Sequence, residues 1–351
     1  MVMLRTVPRR PENSRPMRPR LLIISPALAD ANDGNWQTAR RWSRFLAGDF
    51  DVVVSKAWDG SRADAMIALH ARRSAASIDA FKSSGSPVAV VLTGTDLYRD
   101  IRGDPSAQRS LEVADRLVVL QERGIDELAA PLRAKTEVIF QSARTLRPGR
   151  PRARSFDLVM VGHLRDEKDP MTALRALARL PAERAPFARL RLIHVGGDKD
   201  PALAAEFRRA ATGDRRVELR GSLPHAQTRQ LIRGARALLL PSRMEGGANV
   251  LIEAVTASVP VLASRIAGSV GMLGEAYDGY FPVGDDAALA GLIARCQDQP
   301  AFLDELREQC ARRAPLFDPA RERADVRRLA HNLASVNPRP LRVPPVKESD
   351  R

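Results

Sequence analysis

The sequence predicts an α/β protein built as two doubly wound halves facing a central cleft. Three observations carry the prediction. Short apolar runs alternate with helical stretches over residues 20–143. A proline- and arginine-rich stretch breaks the pattern at 144–155. The same alternation then restarts and continues through residue 284.

The elements follow in order. "RLLIISPA" (20–27) is an apolar run between polar residues, which reads as a buried strand. "NWQTARRWSRFLAG" (35–48) reads as a helix stopped by Gly48, with Trp36, Ala39, Phe45 and Leu46 toward the core. "FDVVVSKA" (50–57) and "ADAMIALHA" (63–71) are strands, and "SAASIDAFKSSG" (74–85) is a helix with a glycine stop. "PVAVVLTGTD" (87–96), "DRLVVLQ" (115–121) and "KTEVIFQS" (135–142) complete a set of short apolar strands, the signature of a parallel sheet covered on both faces. Past the linker the strands are 155–164, 188–198, 215–223, 235–242, 259–265 and 279–284. Helices fill 170–180, 200–211, 225–234 and 247–257. The expected organisation is a basic tail (1–19), an N-terminal domain (20–143), a linker (144–155) and a C-terminal domain (156–310). A helical segment (311–335), expected to pack back on the N-terminal domain, and a second tail (336–351) complete it. Both domains are expected to be Rossmann-like, with ligands beyond the carboxyl ends of the strands.

Charge narrows the function class. The chain of 351 residues has a formal charge of +14. Residues 1–20 carry six arginines and one acid, residues 144–154 carry five arginines and no acid, and the last sixteen residues add +2. These segments hold 12 of the 14 charges, so the folded remainder is nearly neutral. A nucleic-acid binder concentrates charge on a folded face. Solvated tails and a basic linker explain this pattern better, and no nucleic-acid partner is expected. "LLIIS" is too short for the apolar core of a signal peptide, and no run is long enough to span a membrane. Cys296 and Cys310 lie in helical sequence without a CxxC or a histidine cluster, as expected of reduced thiols in a cytoplasmic protein. No carboxylate cluster suggests a metal site.

Two strand-end loops carry anion-binding equipment. "VGHLRDEKDP" (161–170) leaves a strand at Gly162 and enters a helix at Asp169-Pro170, placing Arg165 and Lys168 before a helix N-terminus. That arrangement suits a diphosphate; the competing reading pairs both cations with Asp166 and Glu167. "SRMEGGANVLIEA" (242–254) follows a strand and places Glu245 in a loop, Gly246 and Gly247 at a turn, and Glu253 in the next helix. Glycine lets backbone amides approach a ligand, and a carboxylate accepts paired hydroxyls well. The competing reading leaves Glu245 exposed and Glu253 paired with a surface arginine.

Taken together, these loops resemble the nucleotide-sugar half of the family 4 glycosyltransferases, whose fold is GT-B. That family carries "G-R-x-x-x-x-K" and "P-S-x-x-E-G-x-x-x-x-x-x-E-A", and "LLLPSRMEGGANVLIEAVTASVPVLAS" (238–264) is similar to the second. The resemblance implies a donor site of Gly162, His163, Arg165, Lys168, Glu245, Gly246, Gly247, Ala248, Asn249 and Glu253. Glu253 would bind the ribose, Glu245 would lie near the sugar, and amides around Gly247 and Ala248 would hold the diphosphate with Lys168. The family arginine is His163 here, so Arg165 is expected to supply that charge.

The N-terminal half narrows the resemblance. "DGNWQTARRW" (33–42), "IALHARRSAASI" (67–78), "LTGTDLYRDI" (92–101) and "LVVLQERG" (117–124) resemble the selenosugar synthases of selenoneine biosynthesis. The likeness runs over about residues 20–335. It implies transfer from UDP-N-acetylglucosamine or UDP-glucose to selenophosphate, giving a 1-selenosugar, UDP and phosphate, with no cofactor required. Selenophosphate is anionic and already nucleophilic, so it needs cations and amides more than a base. The acceptor site is expected at Gly34, Asn35, His70, Arg72, Thr93, Gly94, Thr95 and Asp96. Thr93 stands where many family members have histidine. His70 has a competing reading as a hydrogen-bonded structural residue. The catalytic set is expected to be Lys168, Arg165, Glu245 and Thr93, with the two cations stabilising the departing diphosphate. The alternative within enzymes is transfer to a hydroxyl of a glycan, lipid or small metabolite.

Overall fold

A computed structural model describes residues 18–29, 34–183 and 185–336. The basic tail at 1–17 and the final segment from 337 onward lie outside the described residues.

Two six-stranded sheets form, and every pairing in both is parallel. The first contains β1 (Arg20–Ile24), β2 (Asp51–Ser55), β3 (Ala65–Leu69), β4 (Val88–Leu92), β5 (Arg116–Val119) and β6 (Thr136–Val138), in the order β2-β1-β3-β4-β5-β6. Its helices are α1 (Gly34–Leu46), α2 (Ala75–Ser83), α3 (Ile101–Gly103), α4 (Pro105–Val113) and α5 (Ala130–Arg133). The second contains β7 (Phe156–Val161), β8 (Leu190–Val195), β9 (Val217–Leu219), β10 (Ala237–Leu240), β11 (Val261–Ser264) and β12 (Tyr280–Phe281), in the order β12-β11-β10-β7-β8-β9. Around it lie α6 (Pro170–Ala178), α7 (Pro201–Thr212), α8 (His225–Gly234), α9 (Asn249–Val255), α10 (Ala267–Leu273), α11 (Asp286–Asp298) and α12 (Pro300–Arg313). Strand order reverses at β1 in one sheet and between β7 and β10 in the other, the places where open parallel sheets leave a crevice. This is the GT-B fold.

The central strands β3, β4 and β10 are apolar along their whole length because both faces are covered. β3 and β4 are buried at every position. One correction concerns α1. The residues facing the sheet are Thr38, Ala39, Trp42 and Leu46, and Trp36 and Phe45 stay half-buried. Positions 38, 42 and 46 share one i, i+4 stripe, and Trp42 takes the core position expected of Trp36.

The last helix, α13 (Pro319–Val336), crosses from the second domain to the first. Its Val326, Leu329, Ala330 and Leu333 join Trp42, Leu46 and Phe50 in one apolar cluster. The stretch 144–155 has no regular structure but lies close on the second domain. Leu146 donates its amide to Thr256 O at 3.1 Å, and Arg229 donates to Arg144 O at 2.5 Å. Cys296 and Cys310 are buried free thiols, and burial pushes Cys310 up to about 11, which suppresses thiolate chemistry. Among the described residues no helix is long and apolar enough to cross a membrane.

Candidate active site

The carboxyl ends of β1, β3, β4, β7, β8 and β10 converge on one cavity of about 530 Å³ between the domains. It brings together Gly34, Asn35, His70, Thr93, Gly94 and Thr95 from the first domain. From the second come Gly162, His163, Arg165, Lys168, Glu245 through Asn249, and Glu253.

The two acids are buried, Glu245 to 8% exposure and Glu253 to 7%. An unpaired buried carboxylate is costly, so each has a partner. Lys168 Nζ lies 2.5 Å from Glu245 Oε1, and Ser242 Oγ donates to the same oxygen at 2.6 Å. His225 Nε2 lies 2.5 Å from Glu253 Oε1. Neither acid is loop-exposed or bound to an arginine. The helix after the glycine pair begins at Asn249 rather than Gly247, because Ala248 is its N-cap residue. Ala248 has no capping side chain, so Gly246, Gly247 and Ala248 form an uncapped approach to the helix within the cavity.

The loop after β7 is ordered by the opposite domain as well as its own. Arg99 Nη1 reaches across the cleft to Glu167 Oε1 at 3.1 Å, and Arg165 Nε stands 3.9 Å from Glu167 Oε2. Burial pushes the Glu167 carboxyl up, but its backbone hydrogen bond and the two guanidinium groups outweigh this and hold it below the ordinary carboxylate range. Glu167 thus takes up part of the field of Arg165, while Lys168 points inward to Glu245. His163 Nδ1 accepts the Gly197 amide at 3.1 Å, so its proton sits on Nε2.

His70 lines the first-domain wall of the cavity and is held there by hydrogen bonds at both ring nitrogens. It is 2% exposed and has a left-handed backbone with φ 71°. Its Nδ1 accepts the Arg73 amide at 3.3 Å, which puts the proton on Nε2, 3.1 Å from Thr95 Oγ1. Burial lowers its pKa against the pull of Asp96, so the ring is neutral near pH 7.

Two expected acceptor residues are not in the cavity. Asp96 is fully buried, and its carboxylate accepts the amides of Thr93, Gly94 and Ala71 at 2.8–2.9 Å. It shapes the loop and has no room for a substrate. Arg72 turns to Asp100, Nε to Oδ2 at 2.8 Å. Arg73, its neighbour, lines the cavity instead, and among the described residues its guanidinium has no ion pair. Composition gives no signal for which of these two adjacent arginines lines the cavity. His225 and Lys199 also line the cavity without having been expected there.

The domains meet at the glycines. A Cβ on Gly246 would lie 2.4 Å from the Thr93 carbonyl carbon and 2.5 Å from its oxygen. Both are backbone atoms, so neither can step aside. Gly246→Ala should therefore force the domains apart and lower kcat/KM at least tenfold, about 1.4 kcal/mol or more. Small-angle scattering of the variant should show a larger radius of gyration, and an unchanged radius with full activity would contradict this.

The glycosyl transferases group 1 family model matches residues 144–317. D-inositol 3-phosphate glycosyltransferase 1 of Catenulispora acidiphila is 28% identical over 295 residues, covering 77% of this chain and 69% of that protein. Anabaena Alr3699/HepE, solved with UDP-glucose, superposes with a TM-score of 0.71 at 14% identity, covering 91% of this chain and 100% of that one. Sucrose-phosphate synthase of Thermosynechococcus elongatus gives a TM-score of 0.71 at 17% identity, with 91% and 100% coverage. The family-model match thus falls on the second domain and its approaches, and the two-sheet architecture of the whole chain is that of the GT-B fold.

Proposed function

We propose that the chain is a selenosugar synthase, transferring the sugar of UDP-N-acetylglucosamine or UDP-glucose to selenophosphate. The observation that carries the donor half is the Lys168–Glu245 contact inside a cavity formed by six strand ends. In this reading Glu253 accepts the ribose hydroxyls. The amides at Gly247 and Ala248 take the diphosphate with Lys168, and Arg165 adds positive charge at the mouth. Glu245 holds Lys168 and lies beside the sugar. Structures of similar fold were solved with UDP and with UDP-glucose, which supports this choice of nucleotide.

Selenium attacks the anomeric carbon, forming the C–Se bond as the C–O bond to the β-phosphate breaks. UDP leaves with that electron pair. Water then takes the phosphoryl group from selenium, giving phosphate and the 1-selenosugar. Charge developing on UDP meets fixed positive groups, where electrostatic stabilisation acts most strongly.

The acceptor half is supported by chemistry and by the resemblance in residues 20–143. Among the described residues the first-domain wall of the cavity holds no carboxylate, and the proton on His70 Nε2 faces Thr95. The wall offers Arg73, the start of α1 at Gly34 and Asn35, and the hydroxyls of Thr93 and Thr95. Such a wall suits a small anion that needs no base. A second reading, transfer to a hydroxyl of a phosphorylated polyol, draws on the similarity to D-inositol 3-phosphate glycosyltransferase 1.

One experiment separates them. The protein is incubated with each UDP-sugar plus selenophosphate or D-inositol 3-phosphate, and UDP release and product mass are followed. A product with the selenium isotope pattern is expected. UDP release with the inositol phosphate and none with selenophosphate would replace the proposal with the second reading.

A further inference from the structure

We infer that His225 is a positioning residue for Glu253, setting the plane of its carboxylate so that the donor ribose is selected over deoxyribose. The inference rests on the reading of Glu253 as the ribose acceptor. His225 is the first residue of α8, and Glu253 lies 28 residues later in α9. Both line the cavity, beside Ser222 and Thr228.

The last torsion of a glutamate is broad, so its carboxylate plane is poorly defined unless something holds it. Glu253 is buried on a helix, and among the described residues His225 is the side chain that donates to its carboxylate. The contact takes Oε1 at 2.5 Å, with the imidazole nitrogen donating to the carboxylate. Oε2 is left to the ligand. A ribose presents neighbouring 2′ and 3′ hydroxyls, and a carboxylate oxygen has two acceptor positions in one plane. Fixing that plane lets one oxygen meet both hydroxyls, and a nucleotide lacking the 2′ hydroxyl loses the advantage.

His225 is half exposed on the cavity side, so replacing it should leave the core intact. UDP and 2′-deoxy-UDP binding to the full chain is measured by calorimetry, for wild type, His225→Ala, His225→Gln and Glu253→Gln. His225→Ala should weaken UDP roughly tenfold and 2′-deoxy-UDP much less, the size expected for one charge-assisted contact. His225→Gln, whose amide can still donate to Oε1, should recover most of the loss. At saturating donor, turnover of His225→Ala should stay within about twofold of wild type while KM for the UDP-sugar rises. Equal weakening of both nucleotides, or none, would overturn the inference. If Glu253→Gln keeps the full preference for UDP, the ribose reading itself fails and takes the inference with it. If Glu253→Gln abolishes the preference and His225→Ala does not, the inference alone fails.

Discussion

Lys168→Ala should lower turnover by about 10²–10³-fold at saturating UDP-sugar, roughly 3–4 kcal/mol of transition-state stabilisation. The Lys168 side chain is 19% exposed and lines the cavity. In the proposed reaction it therefore meets the departing diphosphate with little movement, where water screens it little. The substitution also leaves the Glu245 carboxylate buried with Ser242 as its remaining partner. Two effects are thus expected, and they separate. Steady-state kinetics should show kcat falling further than KM rises, because the interaction strengthens as charge develops on UDP. Thermal unfolding should show a modest loss of stability. Lys168→Arg, which keeps the charge, should recover part of the turnover. A Lys168→Ala enzyme with full turnover at saturating donor would remove Lys168 from the catalytic set.

The second large effect concerns the return of α13. Glu322 has a side chain with no solvent exposure, on the helix that crosses between domains. It accepts from Arg41 Nε at 2.7 Å, from Trp42 Nε1 at 2.7 Å and from Ser142 Oγ at 2.5 Å. Glu322→Ala leaves an indole N–H, a hydroxyl and a mostly buried guanidinium without their acceptor. Breaking such an arrangement from one side costs about 3–5 kcal/mol. Loosening of α13 would also uncover the cluster of Val326, Leu329, Ala330 and Leu333. Urea unfolding should show the midpoint falling, and amide exchange should quicken in α13 and α1. Glu322→Gln keeps one acceptor oxygen and should lose less. An unchanged unfolding free energy in Glu322→Ala would refute this account.

Both effects involve partners far apart in the chain, and this marks where sequence reading stops. The sheets were legible because strands buried on both faces are apolar throughout, as in "MIAL" and "VAVVL". The cavity-lining loops after β7 and β10 were legible because glycines, acids and a lysine stand at strand ends in a fixed order. Partner choice was not. Lys168 and Glu245 are 77 residues apart, His225 and Glu253 are 28 apart, and Trp42 and Glu322 are 280 apart. Local periodicity contains no information on such pairs. At Arg72 and Arg73 the limit is sharper still. The two side chains are chemically identical, yet Arg72 pairs with Asp100 while Arg73 lines the cavity. Asp96 shows the same limit: an acid in a strand-end loop reads as a ligand group, yet three amides fold around it.

The sequence by itself determined the two parallel sheets, their crevice and the motifs that line it, because burial periodicity and strand-end glycines are local properties. Only the tertiary structure decided which charges face the cavity and which are neutralised elsewhere. A side chain's electrostatic role depends on what lies within a few ångströms of it. Here those neighbours come from other strands, the other domain and the returning helix.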